Sequence, residues 1–213
     1  MALIAMNIRR ILGDPLPREE EKKFNAAFSI LTLTALIVIF LSFYLRIGEF
    51  CYYSVISSAM LPVFYRGRKR MHLSWWLVVL ATIFVIFNFA GGSIYVGGIR
   101  LYNSQFFGIP YDKFMHFAGF GILAFAMNSF FSKHLKSVKK HYSFIINVSV
   151  TMGVAAFLEV LEFIAVLTIG DVGVGDYFNN AQDLTAGFIG AIIGTFLARR
   201  TLKLRKPAFG AHS

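Results

Sequence analysis

Six apolar stretches divide this chain, near residues 26–45, 49–65, 73–91, 113–132, 144–168 and 178–198. A bilayer core about 30 Å thick is crossed by a helix of about 20 apolar residues, because in hydrocarbon the backbone polar groups have only one another to bond. Of the 213 residues, 57% are hydrophobic and 15% charged, with a mean hydropathy of +0.64, whereas a soluble domain carries about 25% charged residues. A soluble fold is excluded. The expectation is an all-α, polytopic integral membrane protein with six transmembrane helices in one domain over residues 1–213. The second stretch is short and holds Pro62, which a membrane helix accommodates when its neighbours satisfy the carbonyl that proline frees.

The cations set the orientation. Arg9, Arg10, Arg18, Lys22 and Lys23 precede the first stretch; Arg66, Arg68, Lys69 and Arg70 follow the second; Lys133, Lys136, Lys139 and Lys140 follow the fourth; Arg199, Arg200, Lys203, Arg205 and Lys206 follow the sixth. With six spans all of them fall on one side, and five or seven spans would scatter them. The excess of Lys and Arg marks the cytoplasmic face, so both termini are expected inside, with 1–24 a cytoplasmic segment, 199–213 a basic tail, and the protein multi-pass in the cytoplasmic (inner) membrane. Trp75 and Trp76 fit the aromatic belt at that face.

The net charge of +10 reads as topology determinants and contacts with anionic lipid head groups. No nucleic-acid-binding motif is present, and nucleic acid is not an expected partner. The amino terminus, "MALIAMNIRRILGDPLPREEEKK", lacks the continuous apolar run of a secretory signal and is expected to be retained; residues 1–12 suit a short surface helix broken by "GDPLP". Cys51 is the only cysteine, so no intramolecular disulfide is expected, and it reads as a small apolar residue.

The acids are distributed differently. Asp14, Glu19, Glu20 and Glu21 are expected inside, whereas Glu49, Asp112, Glu159, Glu162, Asp171, Asp176 and Asp183 fall in outer loops or outward span ends. Asp112 and His116, four apart with Lys113 beside them, share a helix face in span four. Glu159 and Glu162 share one in span five. Asp176, Asn180 and Asp183 share one in span six, continued by Gly187, Gly190 and Gly194, small residues that let another helix come close. A charge at mid-membrane costs about 2.5–3.5 kcal/mol on insertion scales, so partners are expected: Lys113, His116, a metal ion or a shared proton. The resulting candidate is a polar, outward-open pocket of Asp112, Lys113, His116, Glu159, Glu162, Asn180, Asp183 and Arg100, with His116, Glu159, Glu162 and Asp183 the ligand types for a divalent metal ion.

A purely structural polar network accounts for the same pattern. Asp112, after Pro110, suits a cap on span four; Asn179 or Asn180 suits one on span six; Asp171 and Asp176 suit solvated loop acids. Between spans three and four, "GGSIYVGGIRLYNSQFFGIP" suits a hairpin or flap over the pocket, with Arg100 either meeting an anionic group such as phosphate or solvated.

Taken together, "GGSIYVGG" through "YDKFMHFAGFGILAF", the pair in "FLEVLEF", and "NNAQDLTAGFIGAIIG" resemble the VanZ-like membrane proteins, and among them the YjdF-like integral membrane family, over residues 91–195. The matching positions are Asp112, Lys113, His116 and Phe117, then Glu159 or Glu162, then Asp183, Gly190 and Ala191. Gly187 stands where the VanZ type carries Asn, and its arginine ahead of the final helix is missing, which favours the YjdF-like side. No activity is established for that family, and VanZ itself is associated with reduced susceptibility to a glycopeptide antibiotic. The leading expectation is a pocket that binds an envelope lipid or polyprenyl-linked head group. A metal-dependent hydrolase and a proton-coupled transporter are the alternatives.

Overall fold

The structure, a computed structural model, describes residues 18–71, 73–135, 137–170 and 177–204. Six helices occupy most of them: α1 (Arg18–Tyr44), α2 (Gly48–Met71), α3 (Trp75–Ser93), α4 (Tyr111–His134), α5 (Lys140–Ile169) and α6 (Tyr177–Leu204). Five of them overrun their apolar stretch at one end or both, because the backbone ladder continues into the polar flanks once the helix has started, whereas α3 is shifted two residues from the expected 73–91. Pro62 lies inside α2 without ending it. The surface helix expected over 1–12, the loop acids Asp171 and Asp176, and the tail from 205 lie outside the described residues.

Five helices are long and apolar enough to cross a membrane: Arg18–Tyr44, Trp75–Ser93, Tyr111–Phe131, Lys140–Thr168 and Tyr177–Thr201. α2 is less apolar, since Glu49, Ser54, Ser57 and Ser58 dilute it and "RGRKR" fills its last turns. Even so, it runs back along the whole of α1. At one end the two meet through the Leu45–Ile47 turn; at the other, Arg68 of α2 pairs with Glu21 of α1 at 3.1 Å, and the Tyr65 hydroxyl donates to Asn25 at 3.2 Å.

Burial is distributed as a lipid solvent requires. The fully enclosed positions include Ala124, Ala155, Ala165, Ala191 and Ala198, while Phe40, Phe43, Phe157, Phe163 and Leu167 face outward. Contiguous apolar surface on this scale is foreign to a soluble monomer. Some of the polar groups inside bond to one another: the Asn147 amide donates to the Ala124 carbonyl at 2.9 Å and to the Thr195 hydroxyl at 2.7 Å, and Thr195 donates to the Ala191 carbonyl.

The closest pair is α4 with α6. A Cβ added to Gly190 would collide with the Phe117 carbonyl, and one added to Gly194 with the Gly121 carbonyl. Both obstacles are backbone. The stripe expected from sequence is therefore a backbone-to-backbone seam, in the manner of small-residue membrane contacts. A second unit forms where α1 packs on α2 and α3 around Phe24, Ala27, Leu31 and Val78.

Residues 94–110 are not helical, an exception to the all-α expectation. They fold as two short hairpins, β1 (Tyr95–Val96) with β2 (Ile99–Arg100) and β3 (Gln105–Phe106) with β4 (Ile109–Pro110), joined by a 3-10 turn at Leu101–Asn103. The turns require positive φ, met by Gly97 and Gly98 in one and by Phe107 and Gly108 in the other, as two-residue hairpin loops demand.

The seam yields a direct test. Gly194→Val forces a branched side chain against a carbonyl that has no room to retreat, and overpacking of this kind costs about 1–3 kcal/mol. The expected outcome is a lower melting temperature in detergent for Gly194→Val, with Gly153→Ala, where nothing lies within 4 Å of the added carbon, melting close to the parent.

Candidate functional site

The site is built where α4 begins. Pro110 precedes its first turn and cannot continue a strand ladder as a donor, so the chain passes straight from β4 into helix. Asp112, the second helical residue, accepts the Lys113 amide at 2.8 Å and the Lys113 ammonium at 2.9 Å. It therefore serves the first-turn amides while also pairing with Lys113, and Pro110 holds the cap position itself.

Lys113 is buried, 6% exposed, and is the hub of the cluster. Its ammonium also donates to Asp183 Oδ1 at 2.8 Å and to Asn179 Oδ1 at 2.7 Å, both on α6. Asn179 in turn donates to Asp183 Oδ2 at 2.8 Å. Three donors on one ammonium are thus matched to three oxygens from two helices. One turn further along α4, His116 Nε2 lies 3.4 Å from Asp183 Oδ1. From α5, Glu159 completes a group in which His116, Glu159 and Asp183 each offer a donor atom within 4.8 Å of the other two.

Beside this cluster is a cavity of about 330 Å³. His116, Asp112, Asn179, Asp183, Glu162, Glu49 and Arg100 supply its polar lining; Phe84, Phe120, Leu123 and Leu158 supply an apolar one. Of the residues expected from sequence, Asp112, Lys113, His116 and Asp183 meet directly, and Glu159 joins His116 and Asp183. Glu162 lines the cavity one turn away from Glu159. Asn180 keeps its Oδ1 buried without a hydrogen-bond partner among the described residues, while its neighbour Asn179 makes the contacts; the i, i+4 spacing of Asn179 to Asp183 was the available signal.

Arg100 lines the cavity, mostly buried and already paired. It pairs with Glu49 at the start of α2 and donates to the Gly92 carbonyl at 2.7 Å. The hairpin is thereby clamped to α2 and α3. Phe50 stacks on Tyr102 with centroids 6.2 Å apart, occupying space that a side chain at Gly92 would fill. Burial, and then the Glu49 carboxylate, raise the Tyr102 phenol well above its ordinary value, so it stays protonated and donates to the Asn88 carbonyl at 2.8 Å. Glu49, Asn88 and Tyr102 carry no spacing that announces them.

A helical bundle with lipid-type surface and a buried charged cluster can be compared with known families. The family model described as "Predicted membrane protein (DUF2238)" matches residues 24–204. The chain belongs to this family. No curated protein and no solved structure matches it. The DUF2238 match begins inside α1 and runs to the end of α6, covering both hairpins and every residue of the cluster, and so includes helices ahead of residue 91.

Lys113 is the cation that Asp112 and Asp183 share. Removing one partner of a buried ion pair costs about 3–5 kcal/mol, because the other charge is left uncompensated. Lys113→Met is expected to lower the melting temperature sharply, and adding Asp183→Asn to that variant is expected to recover part of the loss, since it deletes one of the two carboxylates left behind.

Proposed function

We propose that this DUF2238 protein crosses the membrane six times with both termini in the cytoplasm and binds the head group of an envelope lipid, or of a polyprenyl-linked precursor, in its outward cavity. The antiparallel course of α2 along α1 supports the sixth span, since the ends of α2 lie level with those of its neighbour. The basic clusters support the orientation. On the resemblance of residues 91–195, the chain sits nearer the YjdF-like than the VanZ-like proteins.

The observation that carries the binding reading is the mixed lining of the cavity. Charged and amide groups line it together with Phe84, Phe120, Leu123 and Leu158, a composition suited to an amphiphile with a polar head and an apolar stem. At about 330 Å³ it lies at the lower end of the range for small-molecule sites, enough for a head group and the first part of a chain. A solute pocket for transport has less reason to carry so much aliphatic and aromatic wall.

Two measurements test the reading. Mass spectrometry of lipid retained through detergent purification is expected to find one enriched species that Leu123→Trp, which fills the apolar wall, displaces; a bulk lipid profile shared by parent and variant counts against it. For topology, in a Cys51→Ser background, Arg46→Cys and Asn103→Cys are expected to react with an impermeant maleimide in intact cells and Ser137→Cys only after permeabilisation. Arg46→Cys and Asn103→Cys on opposite sides would remove the sixth span.

A further inference from the structure

We infer that His116, Glu159 and Asp183 form a binding site for one divalent transition-metal ion of the zinc or manganese type. The inference stands apart from the head-group reading, because an ion is held or not held whether or not a lipid occupies the cavity.

Three observations converge. The donors come from three different helices, α4, α5 and α6, yet lie within 4.8 Å of one another. Around an ion bonded at about 2.0–2.2 Å, tetrahedral ligands end up about 3.5 Å apart, so closing the group takes about an ångström of side-chain adjustment. Secondly, one of its polar atoms has nothing to bond: Glu159 Oε2 is buried without a hydrogen-bond partner among the described residues. A buried polar atom left so costs about 1–3 kcal/mol, and a cation held by the group offers it what the protein does not. Thirdly, the formal charge is unbalanced. Glu49, Asp112, Glu159, Glu162 and Asp183 stand against Lys113 and Arg100 around one cavity and its edge, and a surplus of carboxylates inside a membrane bundle calls for cations.

The donor set narrows the ion. One imidazole with two carboxylates suits zinc, manganese or iron(II), whereas calcium and magnesium prefer an all-oxygen shell, and the absence of thiolate from the set disfavours copper(I). Three protein ligands leave coordination open, as in metal centres that also hold water or substrate. His116 and Asp183 line the cavity, so an open position there would face whatever the cavity holds. Asp183 is already oriented for the role: Lys113 and Asn179 hold its two oxygens at 2.8 Å each, as outer partners orient metal-ligating carboxylates.

The test uses the full chain, purified without a polyhistidine tag, stripped with chelator, and titrated with zinc or manganese chloride alone. After desalting, elemental analysis is expected to find one ion per chain. Glu159→Gln and His116→Ala are expected to weaken binding by at least about tenfold, the scale on which even indirect partners of a metal act, and Glu19→Gln, an exposed acid in the first turn of α1, to leave it unchanged. Equal melting temperatures of parent and variants in chelator show that the variants are folded. Because a variant can fail to fold, X-ray absorption at the zinc edge of the parent gives a second readout, expected to show nitrogen and oxygen neighbours. Substoichiometric metal in the parent, undiminished binding in Glu159→Gln, or a sulfur neighbour from Cys51 would each overturn the site.

Discussion

The contact on which the molecule turns is the glycine seam between α4 and α6. Gly190 and Gly194 lie against the carbonyls of Phe117 and Gly121, close enough that no Cβ fits. Without a hydrophobic drive between helices inside lipid, close packing of this kind is a main source of association. Its register has a chemical consequence one to two turns away. Once the two backbones are locked there, Lys113 and His116 are delivered to Asp183 and Asn179 at bonding distance, and the charged cluster is a by-product of how the helices interlock.

Charge explains the rest of that end of the bundle. Hydrocarbon penalises each ion, so the two inward cations are each fixed by carboxylates: Lys113 by Asp112 and Asp183, and Arg100 by Glu49. Each pair also joins elements distant in sequence. The first ties α4 to α6; the second ties the hairpins to α2 and, through the Gly92 carbonyl, to α3. The hairpins are thereby held over the end of the bundle where the cavity lies, and the described acids exceed what these two cations neutralise.

How much was legible follows from the range of each interaction. The apolar stretches and cation clusters were readable because hydropathy and positive charge act locally, residue by residue, against a solvent of known thickness. α2 was the least legible, its serines and basic end lowering the signal while its pairing with α1 carries it along the bundle. Within the site, Asp112, His116 and Asp183 announced themselves as charges where charge is costly. Asn179 was passed over for Asn180 because a straight i, i+3, i+4 stripe does not say which flank of the helix faces its neighbour. The partner of Arg100, Glu49, lies 51 positions away in sequence, out of reach of any spacing argument.

Residue order and hydropathy suffice for a multi-helix membrane bundle, its clusters of basic residues, the glycine face of α6, and the small set of ionisable groups to be reconciled with hydrocarbon. Which of those groups meet depends on how the helices pack: Lys113 with Asp183 rather than with a glutamate, Arg100 with Glu49, and Glu159 near His116 while Glu162 lines the cavity. The reason is geometric. Periodicity fixes where a side chain points on its own helix, but rotation and depth of one helix against another are set by packing, and here by two glycines and the carbonyls they touch.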